Sequence, residues 1–355
     1  TIGTTSTTQA NDYFNAVLYT GNGTTNAITG VGFQPDFVWV KSRSDAYFHG
    51  LYDAVRGAGS TKGLYSNDTA AEGTYSDFQN LVSFDSNGFT LGATSNTNNI
   101  NANASTFVGW NWRASNATAV TNTAGTITST VSANTTAGFS IVTYTGSGSA
   151  ATVGHGLGAT PSMIIIKDRD NGTYDWNVYH ANLSSPTTLK LYLNTSAAEN
   201  NGGTNSGTWN STAPTSTVFS LGTFLNVNNS GDKFVAYCFA PVAGYSAFGS
   251  YTGNGSTDGP FIFTGFRPRY IMIKQTSTSG EGWFIFDTSR SPYNVQGPYL
   301  TANSSEAENT ISDRISDILS NGIKFRGGHA SVNGSGSTYI YMAFAESPFK
   351  YALAR

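Results

Sequence analysis

The chain has 355 residues, 38% of them hydrophobic and 13% aromatic, with only 11% charged, a formal net charge of -3 and one cysteine. The charge balance offers no basic surface for phosphate neutralisation, which excludes a dedicated nucleic-acid binder and gives no attraction to anionic lipid. The lone cysteine excludes an internal disulfide framework, no apolar run is long enough to cross a bilayer, and abundant Gly, Ser, Thr and Asn predict short strands joined by many turns.

Residues 1–9 carry neither a basic start nor an apolar stretch, and a first residue other than methionine fits simple trimming, a removed leader or a fragment alike. The first strong element is residues 17–23, Val-Leu-Tyr-Thr-Gly-Asn-Gly, and it recurs at 142–148 and 249–255. A second landmark, a proline leading into an apolar run that ends in lysine, follows each copy: Pro35 to Lys41, Pro161 to Lys167 and Pro268 to Lys274. The two landmarks keep common spacings of about 125 and about 107 residues, which makes the chain a tandem triplication. The expected organisation is repeat 1 over 1–114, a Ser/Thr/Asn-rich linker or extra strand over 115–137, repeat 2 over 138–243 and repeat 3 over 244–355.

The run after each proline is apolar throughout, which predicts a strand covered on both faces, with the proline at its start where no ladder donor is lost. A third strand follows at 47–52, 176–179 and 283–286, and Asn171-Gly172 and Ser279-Gly280 predict tight hairpins before it. Alternating strands are expected at 87–92, 218–222 and 321–325, and at the end of each repeat. There the large residues Val108, Trp110 and Trp112 share one face, as do Val235, Tyr237 and Phe239, and Ile340, Met342 and Phe344. That period of two predicts half-buried strands. Within 115–137 the β-branched stretch at 126–131 fits an added strand on a neighbouring sheet as well as it fits a flexible linker. Ile311, Ile315, Ile318 and Leu319 fall on one helical face, so one or two helical turns are expected within 305–319. The sum is an all-β chain of three tandem antiparallel β-sandwich domains, jelly-roll or lectin-like.

Candidate chemistry is sparse. Asp53 and Asp287 occupy matching places, each followed three residues later by an arginine, Arg56 and Arg290, while repeat 2 has His180 there and no arginine. A carboxylate–guanidinium pair closing a turn explains this pattern better than a catalytic acid does. His49, His155, His180 and His329 show no metal-ligand spacing, and Cys238 sits where the other repeats have Asn111 and Ala343. Residues 168–172, Asp-Arg-Asp-Asn-Gly, resemble the start of a calcium loop but lack its closing glutamate, and the glycines of 154–158 precede no helix signal. No catalytic, cofactor or metal residue is therefore assigned. The Asn-x-Ser/Thr sequons follow from composition. Tyr47, Tyr65, Tyr75, Trp209 and Tyr293 are loop aromatics suited to stacking on sugars or to covering core ends and subunit contacts.

The order of the landmarks in the first copy, Tyr-Thr-Gly-x-Gly, then residues 32–41, Leu-Tyr-Asp-x-Val-Arg-Gly at 51–57, residues 83–92 and Phe-Val-Gly-Trp-Asn-Trp-Arg-Ala at 107–114, resembles a domain of unknown function common in structural proteins of tailed phages, many of them from aquatic viruses. The resemblance covers almost the whole chain three times, and residues 342–349 look like the usual ending of such proteins. Repeat 2 departs most, lacking the Asp-x-x-Arg turn. The resemblance implies a noncatalytic virion structural protein of the tail, a fibre or the capsid exterior. Its partners would be copies of itself, as a homotrimer or larger ring, and other virion proteins, with no nucleic acid, membrane or cofactor. The alternatives are a carbohydrate-binding adhesin contacting host surface glycan and, behind it, a polysaccharide-degrading tail enzyme.

Overall fold

β-Branched and aromatic runs punctuated by glycine have little choice but to pair as strands, and in the computed structural model, which describes residues 9–76, 80–93, 100–200 and 207–346, almost all regular structure is antiparallel β. Repeat 1 supplies β1 (Phe14–Thr20), β2 (Asn26–Thr29), β3 (Phe37–Ser42), β4 (Gly50–Asp53), β5 (Leu81–Asp85), β6 (Gly88–Leu91) and β7 (Thr106–Trp112). They form a four-stranded sheet in the order β1-β7-β3-β4 and a three-stranded sheet in the order β2-β6-β5.

Repeat 2 supplies β8 (Val120–Asn122), β9 (Ser129–Asn134), β10 (Phe139–Thr145), β11 (Ala151–Gly154), β12 (Met163–Asp168), β13 (Asn177–His180), β14 (Leu191–Tyr192), β15 (Val218–Leu221), the single turn α1 (Leu225–Asn228) and β16 (Lys233–Phe239). Its large sheet runs β14-β13-β12-β16-β10-β9-β8, and β11 pairs with β15 in the small one. Repeat 3 supplies β17 (Ser246–Thr252), β18 (Phe261–Phe263), β19 (Pro268–Gln275), β20 (Trp283–Asp287), β21 (Pro298–Thr301), β22 (Asn309–Thr310), β23 (Ser316–Leu319), β24 (Gly322–Phe325), the single turn α2 (Ala330–Asn333) and β25 (Thr338–Ala345). The sheets are β17-β25-β19-β20-β21-β22 and β18-β24-β23. The same four-strand core, first strand, last strand, post-proline strand and its hairpin partner, therefore recurs three times.

Within repeat 1 the small sheet covers one face of the large one. Ile28, Phe89 and Leu91 pack with Val38, Val40 and Phe107. The opposite face of each large sheet does not meet water. Phe37, Trp39, Trp110 and Trp112 belong to one continuous cluster with Phe139, Ile165 and Tyr237 of repeat 2 and with Tyr270, Met272 and Phe344 of repeat 3. This is why the post-proline strands are apolar on both faces. It also corrects the half-buried reading of the last strands: after its first residue β7 is buried throughout, and the face bearing Trp110 and Trp112 packs against the sister repeats.

The equivalent residues Trp112, Phe239 and Phe344 meet one another in a triangle, with ring centroids 6.4, 6.0 and 5.7 Å apart. A side chain that touches its own two counterparts lies on a pseudo-threefold axis, so the three repeats close around this point.

Two further expectations are corrected. Residues 305–319 hold no helix; β22 and β23 lie there. Ile318 is buried opposite Ile323 while Asp317 and Leu319 are partly exposed, so pairing with β24 overrides the helical spacing of the isoleucines. The hairpins after the post-proline strands are not tight two-residue turns, because residues 169–176 and 276–282 form wider loops. Their strand-end lysine explains the width: Lys167 Nζ donates to the carbonyls of Asp168 and Asn171, and Lys274 Nζ to those of Gln275 and Glu281. Lys41 does the same with Ser42 and Asp45. Residues 115–137 carry β8 and β9 and add to the free edge of β10. Residues 347–349 of the terminal motif and residues 1–8 lie outside the described residues.

Candidate functional site

The repeated Tyr-Thr-Gly-x-Gly motif is a lock, and its partner is an asparagine about eighty residues downstream in each repeat. The tyrosine hydroxyls of Tyr19, Tyr144 and Tyr251 donate to the carbonyls of Ile100, Val227 and Val332 at 2.6–2.7 Å. The next residue is Asn101, Asn228 or Asn333. Its Oδ1 accepts the backbone N–H of Asn22, Ser147 or Asn254, and its amide nitrogen donates to a carbonyl of the same loop and to that of Gly92, Gly222 or Gly327. The first glycine of the motif passes so close that a Cβ at Gly21, Gly146 or Gly253 would sit on a backbone carbonyl oxygen. The second, Gly23, Gly148 or Gly255, has φ of 70°, 71° or 68°. The motif thus ties the first strand to the turn before the last one.

The most buried ion pairs sit at the seams between repeats. At the seam of repeats 1 and 2, Asp53 accepts from Arg56 Nε and from the Tyr237 hydroxyl of repeat 2 at 2.8 Å. Arg56 also donates to Glu72, and the other oxygen of Glu72 is held by Arg169 of repeat 2 at 2.6 Å. The Glu72 N–H bonds the Arg169 carbonyl, and Trp176 Nε1 of repeat 2 donates to the carbonyl of Tyr65 in repeat 1. The seam of repeats 3 and 1 repeats this set. Asp287 accepts from Arg290 and from Trp110 Nε1, Arg290 donates to Glu308, and Arg43 grips Glu308 through two nitrogens while its carbonyl accepts the Glu308 N–H. In the place of the tryptophan stands His49, whose ring reaches the Thr301 carbonyl of repeat 3.

The seam of repeats 2 and 3 keeps the backbone of this arrangement and loses its aspartate and both arginines. The N–H of Glu199 bonds the Thr276 carbonyl, and Trp283 Nε1 of repeat 3 donates to Tyr192 of repeat 2. His180 replaces the aspartate and its Nε2 meets the Tyr341 carbonyl; Leu183 and Thr276 replace the two arginines. The partner position explains the departure of repeat 2. Where the other seams present the Tyr237 hydroxyl and the Trp110 N–H, this one presents Met342, which has no proton to give a carboxylate. An unpaired buried aspartate would be costly there, and a neutral imidazole bonded to a main-chain oxygen is not.

Burial sets the protonation states. It lowers His49 to about 3 and His180 to about 4, so both rings are neutral, with Nδ1 accepting from Trp39 Nε1 and from the Asn182 N–H respectively. It also lowers Lys41 to about 7 and Lys167 and Lys274 to about 8. In each case the first cause is loss of water on enclosure by packing.

The remaining candidates do not converge. His155 bonds the Thr215 carbonyl, His329 caps α2 through the Ser331 N–H, and burial pushes the Cys238 thiol up. Asp168 Oδ1 accepts the N–H groups of Asp170 and Asn171 in an ordinary Asx turn. Among the described residues no group of three His, Cys, Asp or Glu side chains could hold a metal. Of the loop aromatics, Trp209 is buried, Tyr65 and Tyr75 pack on each other and on Phe48, and Tyr293 alone stands out, at 82% exposed. A cavity of about 310 Å³ lies beside Glu306, Glu308 and Arg314, and one of about 330 Å³ beside Ala54, Val55 and Thr118. Neither is lined by Asp53 or Asp287.

The sequence reading singled out the Asp-x-x-Arg turns and missed Glu72, Glu308 and the three asparagines. Aligning the copies beyond the strands would have found Asn101, Asn228 and Asn333, each preceded by a β-branched residue. A family model described as a domain of unknown function (DUF7483) matches residues 9–348, through all three repeats. No curated protein and no solved structure matches the chain.

Proposed function

This chain belongs to that family of unknown function, and we propose that it is a noncatalytic structural protein of a tailed-phage particle, acting on the tail, a fibre or the capsid exterior through contacts with other copies and other virion proteins. Each repeat is read as a lectin-like sandwich related to the jelly roll. In each repeat the chain passes from the large sheet to the small one and back twice, while hairpins within one sheet, β3–β4 and β5–β6 in repeat 1, depart from a strict jelly roll. The observation that carries the reading is where the reactive groups sit. Asp53, Arg56, Asp287 and Arg290 are buried and bound into seams, so they stabilise a ring and have no opening onto a substrate. A rigid unit closed on its own axis resembles a trimer made from one chain, with three similar exteriors for repeated contact. The test is a cryo-EM map of native particles from the source virus. Density for this chain at a defined position in the particle supports the reading, and its absence from purified particles overturns it.

A carbohydrate-binding adhesin is the second reading, favoured by the protruding ring of Tyr293. Binding on a glycan array that is lost in Tyr293→Ala would favour it over a purely structural role.

A further inference from the structure

In repeat 2 the chain covers one of its own sheet edges. Thr126 and Ile127 lie along β11 in a parallel bridge: the Ile127 N–H donates to the Thr152 carbonyl at 2.9 Å, and the Thr152 N–H donates to Thr126 Oγ1 at 2.8 Å. Ser129 Oγ then reaches the Gly154 carbonyl, and the segment continues into β9, which lies between β10 and the edge strand β8 of the large sheet. This strap ties the two sheets together along their open side.

The counterpart of β11 in repeat 3 is β18, with Ile262 in the place of Val153. Among the described residues no segment straps it. The connection into β17 is a turn in which Tyr245 and Ser246 both bond the Val242 carbonyl, too short to send a strand to this edge. Pro260 O accepts from Phe325, so its carbonyl points toward β24, and by alternation the N–H and C=O of Phe261 point away from the sheet. Where repeat 2 has Thr152 and Gly154 and repeat 1 has Ala27 and Thr29, repeat 3 has Phe261 and Phe263, 43% and 65% exposed. An edge strand with free backbone groups and two exposed aromatics is what a soluble chain normally blocks with charge, proline or cover. The nearby charges are already matched, Lys324 with Asp258 and Arg326 with Asp317, both at 2.6 Å, so they select for a neutral occupant.

We propose that the outer edge of β18 receives an extended, uncharged segment rich in threonine and β-branched residues from a separate chain, paired parallel to the strand as residues 126 and 127 pair with β11. Main-chain hydrogen bonds would supply affinity, and cover of Phe261 and Phe263 would supply selectivity over the two polar edges of the other repeats. The geometry stands by itself; its setting as a contact between virion proteins rests on the reading above.

The probe is an acetylated, amidated peptide of residues 126–131, Thr-Ile-Thr-Ser-Thr-Val, titrated into the full chain and followed by amide exchange at 261–263. Saturable binding tighter than about 1 mM is expected, with added protection at Phe261 and Phe263. Phe261→Pro removes an outward N–H together with one of the two exposed rings and should weaken binding at least about tenfold, as should Phe263→Lys, which leaves the backbone intact. No saturation, or affinity unchanged in both variants, would sink the proposal. So would self-association of the unliganded chain abolished by Phe261→Pro, since the edge would then serve a second copy of itself. Failure of the peptide leaves the particle reading untouched, and absence of the chain from particles leaves the peptide result untouched.

Discussion

Closing the ring through side chains predicts a measurable coupling between residues about 180 positions apart in sequence, Asp53 and Tyr237. The Tyr237 hydroxyl donates to Asp53 Oδ2 at 2.8 Å, both side chains are essentially inaccessible to solvent, and Arg56 Nε binds the same oxygen. Tyr237→Phe deletes that donor, together with the acceptor that Arg56 Nη2 reaches at 3.3 Å, and leaves the ring stacked on Phe37, whose centroid is 4.2 Å away. A buried hydrogen bond to a charged acceptor contributes about 1.5–3 kcal/mol, because no water can replace the lost donor. Asp53→Asn should cost more, since it also leaves the Arg56 guanidinium less compensated. The double variant should cost less than the sum of the two by about 1.5–3 kcal/mol. Urea unfolding of the four full-length proteins, followed by circular dichroism, gives this coupling directly. Additivity within about 0.5 kcal/mol would refute the contact and, with it, the side-chain closure of this seam.

The seams should also differ from one another. Glu72→Gln and Glu308→Gln each strip charge from a carboxylate held between two arginines and should cost about 1–3 kcal/mol, whereas Glu199→Gln, facing no arginine, should stay within about 0.5 kcal/mol in the same assay. Gly21→Ala, Gly146→Ala and Gly253→Ala should each destabilise by about 1–3 kcal/mol through overpacking, while Gly158→Ala, with open space around it, should lose only the smaller cost of its left-handed backbone; chemical denaturation midpoints separate the two groups. Trp112→Ala should cost about 3–5 kcal/mol and lower the melting of the whole chain in one calorimetric transition, since the cavity opens where all three repeats meet. His180, held near 4 against an unfolded value near 6.5, binds its proton more readily in the unfolded chain. Its contribution is therefore complete above about pH 6.5 and is lost as pH falls toward 4, by about 1.4 kcal/mol per pH unit between those values. His180→Gln should lower the slope of that part of the stability–pH curve by about 1.4 kcal/mol per pH unit, leaving the share due to His49, and an unchanged slope would show that the imidazole is not buried neutral.

Much of the architecture is written in local chemistry. The triplication follows from two independent motifs, the strands from β-branched and aromatic runs, and the pairing of Asp53 and Asp287 from an arginine placed where the turn lets it reach back. These are contacts within one turn or ladder, where spacing alone decides which groups meet. The isoleucines of 311–319 show the limit of such reasoning, since their helical spacing yields to pairing with β24, which buries Ile318 against Ile323. Spacing also leaves open what covers the second face of each large sheet, and water, a second subunit or a sister repeat would all fit a Trp-rich strand equally well. Only the tertiary structure decides for the sister repeats, because closure depends on surfaces from distant repeats meeting in cyclic order. The same order makes sense of His180, Leu183 and Thr276. They read as scattered departures along the chain, yet they lie together on one seam, where Met342 has no hydrogen to offer and charges would have been buried without partners.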